Sequence, residues 1–311
     1  MKTLKGQNIA CWMTMMRKNE SPSCKNRVSG IIDYITLTSP RITMLVMLTG
    51  FAGMWVASGG IFQKSTFFWC LLGIGLASSG ASVYNNWYDR NIDRQMSRTD
   101  KRALPSGKIN ARGAFIFATC LTSAGVFIML LFVNTLSALL TTLAVITYSW
   151  LYTVLLKRRT PLATEIGGIS GALPPVIGWS AVRGEIGFEA VMLFAIMFFW
   201  QPPHFWHLAI RHKRDYTRAG IPTLPSVAGE ELTKLKVLQY ITALLPMSML
   251  PYVTGMLGNI YMFAVSALGL IYFVIAFLDL KFRTMRRVFY YSIIYMSILL
   301  TAMIIDVKCH H

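Results

Sequence analysis

The stretch from Gly113 to Leu156 reads GAFIFATCLTSAGVFIMLLFVNTLSALLTTLAVITYSWLYTVLL and contains no charged side chain. A helix needs about 20 mostly apolar residues to cross a bilayer, so this stretch is long enough for two spans. The two spans are separated by little more than Asn134, which predicts a tight hairpin between them. The stretch therefore indicates a protein that crosses a membrane more than once.

Outward from this hairpin, the chain contains seven further long apolar segments. The nine candidate spans cover residues 41–61, 67–86, 112–133, 135–156, 162–182, 188–210, 235–257, 259–280 and 288–306. The fifth is rich in glycine and proline, but small residues let membrane helices approach closely, so it is counted. The sequence predicts an all-α integral membrane protein with nine transmembrane helices.

The composition agrees with a membrane protein. The 311 residues are 54% hydrophobic and only 14% charged, whereas soluble domains average about 45–50% apolar and about 25% charged residues. Intrinsic disorder and an ordinary soluble enzyme are therefore excluded. The five cysteines are scattered without a CxxC pair, which argues against a disulfide framework or a zinc site.

The net charge of +17 is a topology signal. If the N-terminus is cytoplasmic, nine spans place every Lys and Arg on the cytoplasmic side except Lys64, Arg183 and Lys308. We therefore expect membrane lipid, and no nucleic acid, as a partner. Residues 1–33 are interpreted as a basic, poorly ordered leader and residues 34–311 as one membrane domain. The short leader favours a bacterial inner membrane over the mitochondrial one.

The polar segment after the second span, NNWYDRNIDRQMSRTDKRALPSG from Asn85 to Gly107, carries the chemistry. Asn85, Asp89 and Asp93 are spaced by four and share one face of a helix. Two like charges at this spacing repel each other, and a divalent cation would reverse the effect. Carboxylate and amide oxygens suit Mg²⁺, which binds through one or two carboxylates together with substrate phosphate.

Four arginines accompany these oxygens at the same spacing. They are Arg90, Arg94, Arg98 and Arg102, and we expect the Leu104–Gly107 turn to end their helix. Arginine matches phosphate oxygens bidentately, so the segment predicts a metal–diphosphate site beside the membrane. The alternative is a solvated loop in which Asp89 and Asp93 pair with the neighbouring arginines.

These motifs resemble the UbiA superfamily of intramembrane prenyltransferases. The resemblance rests on Asn85-x3-Asp89-x3-Asp93, Met96-x-Arg98-Thr99-x2-Arg102, Tyr152-Thr153-x2-Leu156-Lys157-Arg158, the glycine–proline span 167–179, Trp200-Gln201-x-Pro203-His204-Phe205, and Asp215 to Pro225. It covers the chain from about Asp33 to the last span. It implies a UbiA-like bundle of helices around a central cavity open to the cytoplasmic side.

The resemblance also implies roles for individual residues. Mg²⁺ would be held on a prenyl diphosphate by Asn85, Asp89 and Asp93. Further implied catalytic residues are Arg98, Arg102, Lys157 and His204. The implied substrate-binding residues are Arg94, Tyr152, Arg158, Arg211 and Asp215.

The longer form of the first motif and the Trp200–Phe205 block are similar to the haem-prenylating branch of the superfamily. This similarity implies farnesyl diphosphate and haem b as substrates and Mg²⁺ as cofactor. The implied reaction joins the farnesyl group to a haem vinyl group with addition of water, giving haem O for terminal oxidases. A haem A synthase or a terminal oxidase is the partner that such a product implies.

The chain departs from the family pattern in two places. Leu37-Thr38-Ser39-Pro40-Arg41 lacks the family's lysine, and Asp215 has no second aspartate beside it, with Arg211 four residues before it and Ala219 four after. Basic residues around Asp215 would then bind phosphate directly.

His204 and His207 leave several interpretations open. A neutral imidazole near the end of the sixth span could ligate haem iron, act as a base or orient a substrate. It could also be structural, bonded to backbone groups freed by Pro202 and Pro203.

Two other functions compete with haem prenylation. An enzyme of the same superfamily could prenylate an aromatic quinone precursor. A secondary transporter would place its ion site on broken helices near the midplane, and only the glycine–proline span favours it.

Overall fold

The computed structural model describes residues 22–61, 63–281 and 285–307, and all of its regular elements are helical. The helices are α1 (Pro22–Leu37), α2 (Pro40–Ala57), α3 (Lys64–Asp93), α4 (Ala111–Phe132), α5 (Thr135–Ile146) continued by a π-helix (Thr147–Leu156), α6 (Ala163–Arg183), α7 (Phe188–Arg211), α8 (Lys213–Arg218), α9 (Leu224–Val227), α10 (Glu230–Val253), α11 (Asn259–Asp279) and α12 (Arg286–Ile305). The predicted all-α class is confirmed. The predicted boundary between leader and membrane domain falls inside α1, and residues 1–21 lie outside the described residues.

Each predicted span coincides with a long helix. Among the residues that the structure describes, six helical segments are long and apolar enough to cross a membrane: Pro40–Ala57, Lys64–Asp93, Ala111–Phe132, Thr135–Leu156, Asn259–Asp279 and Arg286–Ile305. Within the described ranges, α6, α7 and α10 do not meet that measure, and they carry the internal prolines. The protein is a multi-pass membrane protein, while the count of nine spans stays a prediction.

The hairpin predicted at Asn134 is present. α4 ends at Phe132, and Asn134 caps α5 by accepting a hydrogen bond from the Ser137 amide at 2.8 Å. The Asn134 amide group also donates to the Ser180 carbonyl oxygen at 2.8 Å. A single side chain therefore stabilises the start of α5 and joins it to α6.

Glycines allow α2 and α6 to pack backbone to backbone. A Cβ atom added at Gly53 would lie 2.1 Å from the Pro175 carbonyl oxygen, and one added at Gly178 would lie 2.0 Å from the Gly50 carbonyl oxygen. Close approach of this kind is how small residues stabilise membrane helix pairs. The glycine–proline span is thus a packing element, as the sequence indicated.

Gly53→Ala should destabilise the protein, because the added methyl group meets backbone that cannot rotate away. We expect a loss of about 1–3 kcal/mol, the usual cost of overpacking. Thermal unfolding of the purified protein in detergent measures it. Gly168→Ala is the matched control, since its Cβ would meet Phe198 at an ordinary 3.7 Å. Equal melting temperatures for Gly53→Ala and wild type would contradict the packing argument.

The up-and-down order of the helices collects several helix ends on one side. α3 ends at Asp93, the π-helix ends at Leu156 and α7 ends at Arg211, while α6 and α10 begin on that side. Because successive long helices run in opposite directions, the two long polar connections face the same end of the bundle. Polar side chains from distant parts of the chain can therefore meet there.

Candidate active site

The predicted acidic face lies at the end of α3. The helix continues past the apolar part of the span as far as Asp93, so Asn85, Asp89 and Asp93 occupy successive turns of one face, as predicted. Asp89 is 2% exposed and Asp93 is 4% exposed. Buried carboxylates need charged or hydrogen-bonding partners, and both have them.

The partners of Asp89 come from the end of the π-helix. The Lys157 ammonium group donates to Asp89 Oδ2 in a short contact, and Arg158 NH2 lies 3.4 Å from Asp89 Oδ1. Arg158 also donates to the Tyr88 carbonyl oxygen at 3.1 Å and stacks over the Tyr88 ring. Two cations thus converge on one buried carboxylate, where they can meet an anionic substrate.

Asn85 and the π-helix are joined directly. The Asn85 side-chain amide donates to Asp89 Oδ2 at 3.2 Å and to Thr153 Oγ1 at 3.0 Å. Thr153 in turn donates to the Tyr148 carbonyl oxygen, and the Lys157 amide bonds to the Tyr152 carbonyl oxygen at 2.8 Å. π-helical turns are rare and often occur at functional sites.

Lys157 stays positively charged in this setting. Burial by itself would lower the pKa of Lys157, but Tyr152 and the Asp89 carboxylate outweigh burial and raise it above its ordinary value. The Lys157 ammonium group also lies 5.9 Å from the centre of the Tyr152 ring. The Tyr152 ring packs against Gly167, where an added Cβ would lie 2.4 Å from it.

Asp93 is held by Arg102 from the connection that follows α3. Arg102 NH1 lies 2.9 Å from Asp93 Oδ2 and 3.1 Å from Asn86 Oδ1. Thr99 donates to the Asp93 carbonyl oxygen at 3.0 Å and closes the turn. The other carboxylate oxygen, Asp93 Oδ1, accepts no hydrogen bond from the residues that the structure describes.

The predicted helical stripe of four arginines is wrong. α3 ends at Asp93, before Leu104–Gly107, so Arg98 and Arg102 lie in the irregular connection and do not continue the row. Arg90 bonds to the Trp87 carbonyl oxygen, and Arg94 Nε donates to the Pro105 carbonyl oxygen at 2.8 Å. After the helix ends, Thr99 closes a turn on the Asp93 carbonyl oxygen, and Arg102 reaches the Asp93 carboxylate from the connection.

The second polar connection meets the first through Asp215. Ser97 Oγ donates to Asp215 Oδ2 at 3.2 Å. Burial lowers the pKa of His212, the positive charges of Arg98 and Arg211 lower it further, and Asp215 opposes them. Arg98, Arg211 and Asp215 therefore all lie close enough to His212 for their charges to affect its pKa.

His204 lies in a different environment, between α7 and α12. Its ring stacks between Trp200 (5.1 Å between centroids) and Phe289 (4.8 Å). Its Nδ1 is 2.8 Å from Ser292 Oγ, and Ser292 donates its only hydroxyl proton to the Phe289 carbonyl oxygen. His204 Nδ1 must then carry the donated proton, which leaves Nε2 as the acceptor atom of the neutral ring. The structure does not join His204 to Asp89 or Asp93 through any contact among the described residues.

The protein groups at the site suit Mg²⁺ that keeps water and substrate oxygens among its ligands. They do not suit a metal ion enclosed entirely by protein side chains. Within the described ranges, no three His, Cys, Asp or Glu side chains converge on one point. The site offers two buried carboxylates and one amide, with Asp93 Oδ1 open, and leaves other ligand positions to water and phosphate oxygens. These residues fit a cation that is bound together with a diphosphate.

The residues that sequence reasoning missed in the site are polar neighbours of the motifs. Asn86 bonds to Arg102 and, through its amide group, to the Leu37 carbonyl oxygen at 3.1 Å. Thr153 and Ser97 lie within the family motifs, and that position in the sequence could have indicated a role at the site. Asn86 lies two helical turns before Asp93, and the spacing by four from Asn85 gave it no role, although it shares the Arg102 side chain with Asp93.

Residues 46–299 match the UbiA prenyltransferase family. The chain is 47% identical over 278 residues to a protoheme IX farnesyltransferase of Aquifex aeolicus, covering 89% of this chain and 95% of that protein. It is 43% identical to protoheme IX farnesyltransferase 2 of Pseudoalteromonas atlantica, covering 88% of this chain and 91% of that protein.

Solved structures show the same fold at low identity. A digeranylgeranylglyceryl phosphate synthase matches with a TM-score of 0.77 at 20% identity, covering 89% of this chain and 98% of that one. A UbiA homologue from Archaeoglobus fulgidus bound to GPP and Mg²⁺ matches with a TM-score of 0.66 at 17% identity, covering 87% and 98%. These structures support the fold alone.

Proposed function

Because the chain belongs to the UbiA prenyltransferase family, we propose that this prenyltransferase joins the farnesyl group of farnesyl diphosphate to a vinyl group of haem b, with addition of water, to make haem O. The observation that carries the proposal is the convergence of Lys157 and Arg158 on the buried carboxylate of Asp89. This arrangement suits a metal–diphosphate head group. The name shared by the relatives that are 40–47% identical supports haem b as the acceptor.

Asn85, Asp89 and Asp93 would hold the Mg²⁺ on the diphosphate. A bound Mg²⁺ supplies positive charge that stabilises the leaving diphosphate. Mg²⁺ bound to a UbiA homologue together with GPP supports this assignment by analogy. Asn85 is fixed by Thr153, and Asp93 by Arg102, so the oxygen atoms are positioned before substrate arrives.

The basic residues act on the same head group. Lys157 and Arg158 neutralise Asp89 in the free protein and can turn to diphosphate oxygens when a cation occupies the carboxylates. Arg102 holds Asp93 in place and, with a side chain 39% exposed, can also reach phosphate. Positive charge aimed at the leaving group is the main contribution to catalysis that this chain makes.

The remaining predicted residues are assigned to substrate positioning. Arg98, Arg211 and Asp215 would bind the phosphate end from the second connection. Arg94 positions the first connection through Pro105 and would reach phosphate with its remaining nitrogens. The Tyr152 ring would line the donor site, and His204 would orient the acceptor through Nε2.

The proposed reaction needs no oxidant or reductant. The bond between the farnesyl C1 and its oxygen breaks, and diphosphate leaves with the electron pair. The π electrons of the haem vinyl group form the new carbon–carbon bond, which leaves a cation on the carbon next to the porphyrin. Water adds to that carbon and loses one proton.

The location follows from the charge distribution. Most of the Lys and Arg residues lie at the end of the bundle that holds Asp89. We propose that the protein lies in the inner membrane of a bacterial cell, that this end faces the cytoplasm, and that the N-terminus is on the same side. A haem A synthase or a terminal oxidase would receive the product. Farnesyl and haem are apolar bodies with anionic ends, so both suit a bilayer protein with a basic mouth.

Removal of divalent cations should stop turnover. Purified protein in liposomes is given haem b, farnesyl diphosphate and Mg²⁺, with an EDTA-treated sample in parallel. We expect a more hydrophobic haem, heavier by farnesyl plus water, that falls at least about 100-fold with EDTA and returns with added Mg²⁺. Reverse-phase chromatography with mass detection measures it.

Other outcomes separate the alternatives. If farnesyl diphosphate is consumed only when an aromatic quinone precursor replaces haem b, the acceptor assignment falls and the family assignment stands. Turnover that is unaffected by EDTA would overturn the roles given to Asn85, Asp89 and Asp93. The secondary-transporter alternative has no support, because the chain belongs to a prenyltransferase family.

A further inference from the structure

A second polar cluster lies between α6, α7 and α10, apart from the aspartates of α3. Glu165, in the first turn of α6, accepts a hydrogen bond at Oε1 from the Lys236 ammonium group at 2.8 Å. Tyr240 donates to the same oxygen at 3.5 Å. The Glu165 side chain is only 12% exposed. A mostly buried carboxylate, which has no part in the proposed metal site, thus lies among three helices.

Two polar atoms of this cluster are buried without a partner. Glu165 Oε2 and Trp206 Nε1 have no hydrogen bond in the described part of the chain. Trp206 is 0% exposed, its ring lies 5.1 Å from the Tyr240 ring, and the Lys236 ammonium group lies 6.0 Å from its centre. Glu165 and Trp206 share Lys236 and Tyr240 as neighbours. Because buried polar groups are normally hydrogen-bonded, an unbonded donor and an unbonded acceptor in one cluster are consistent with a small polar ligand that bonds to them.

The chemistry of the two atoms specifies that ligand. Trp206 Nε1 can only donate, and an ionised Glu165 oxygen can only accept. A molecule that satisfies both must accept one hydrogen bond and donate another, which is what water does. A phosphate or carboxylate group would be repelled by Glu165, and a cation would be repelled by Lys236 and by the indole N–H group.

The Glu165 cluster lies at the same end of the bundle as Asp89. Glu165 opens α6 directly after the turn that carries Lys157 and Arg158, and Lys236 lies near the start of α10. Trp206 stands next to the Trp200–Phe205 block near the end of α7. Phe199 packs on Tyr240 at 5.7 Å and Trp206 is fully buried, so aromatic rings cover part of the cluster.

We propose that Glu165 and Trp206 bind the water molecule that adds to the acceptor cation, and that Glu165 accepts its proton. This inference rests on the proposed function and names the base for its final step. The water oxygen forms the new carbon–oxygen bond with its lone pair, one oxygen–hydrogen bond breaks, and the proton passes to Glu165 Oε2. Lys236 and Tyr240 hold Oε1 and orient the carboxylate.

Glu165→Gln should separate prenylation from hydration. Without the base, the acceptor cation loses a proton from the neighbouring CH₂ group and gives an alkene that is lighter than the normal product by one water. We expect the ratio of hydrated to alkene product to fall about 100-fold, the usual contribution of a general base. Chromatography with mass detection measures both products in one run. Trp206→Phe removes the N–H donor while keeping an aromatic ring, and it should lower the same ratio by a smaller factor.

The control is Glu230→Gln, which neutralises a carboxylate in the first turn of α10 and breaks its contact with Lys213 at 3.4 Å. It should leave the product ratio at the wild-type value. If Glu165 only ties α6 to α10, Glu165→Gln lowers stability or total product without changing the ratio, and the inference is overturned. A folded Glu165→Gln variant that makes no prenylated haem also overturns it. If the wild-type protein prenylates no haem, the proposed function itself has failed. Should Glu165→Gln not fold, the Trp206→Phe ratio decides, and an unchanged ratio there rejects the inference.

Discussion

Replacing Asp89 with asparagine should reduce farnesyl transfer at least about 1,000-fold, because the substitution removes the charge on which two cations converge and on which the proposed Mg²⁺ site depends. Asp89 is the carboxylate that Asn85, Lys157 and Arg158 contact, whereas Asp93 is held separately by Arg102. Asparagine keeps the shape of the side chain. The freed Lys157 and Arg158 side chains are only 18% and 33% exposed, and Lys157 would keep a largely buried charge without its anionic partner, so we expect a loss of stability of about 3 kcal/mol beside the loss of turnover.

Product formation at saturating Mg²⁺, measured beside a melting curve, checks this expectation. Asp100→Asn is the matched control, since Asp100 belongs to the same connection but is exposed. It should keep turnover within about twofold, as surface charge changes usually have small effects. A well-folded Asp89→Asn variant with near-normal turnover would remove the metal assignment from α3.

Removal of Lys157 should strengthen the binding of a divalent cation and lower turnover. Lys157→Ala takes away a cation that bonds to Asp89, so a divalent cation should bind more tightly when diphosphate is absent. Two charges about 4 Å apart interact by about 4 kcal/mol at the effective dielectric of a protein surface, so a tightening of at least about tenfold is expected. Turnover should nevertheless fall about 100-fold, because the leaving diphosphate loses a charged partner.

Manganese binding followed by electron paramagnetic resonance gives the affinity, and the haem assay gives turnover. Arg159→Ala removes a positive charge from the same turn, but Arg159 is exposed and should change neither quantity by more than about twofold. If Lys157→Ala weakens manganese binding, Lys157 does not compete for Asp89, and its proposed exchange from carboxylate to diphosphate is wrong.

The local sequence pattern was sufficient to predict the membrane class and the acidic face of α3. Apolar length predicted the helices, and Asn134 predicted the hairpin, because both depend on residues that are near each other in the chain. The spacing of Asn85, Asp89 and Asp93 placed three oxygen donors on one face for the same reason. The prediction of a helical row of arginines is wrong because it requires the helix to continue past Asp93. A turn closed by Thr99 follows the end of the helix there.

The partners of the buried charges could not be predicted in this way. Spacing offered Arg90 and Arg94 as partners for Asp89, but the structure pairs Asp89 with Lys157 and Arg158. A buried carboxylate takes the cation that the packing of helices brings to it, and that cation stands at the end of a different span. The π-helix that turns Thr153 toward Asn85 also left no signal in the sequence.

The sequence by itself determined the membrane class, the acidic face of α3 and the family resemblance, because apolar length, helical period and motif spacing are properties of neighbouring residues. Only the tertiary structure decided which cations meet Asp89 and Asp93, the protonated nitrogen of His204 and the burial of Glu165 beside Trp206. Those features depend on distances between helices that are far apart in the chain. In a low-dielectric interior such distances control which charges are paired and which polar atoms remain unbonded.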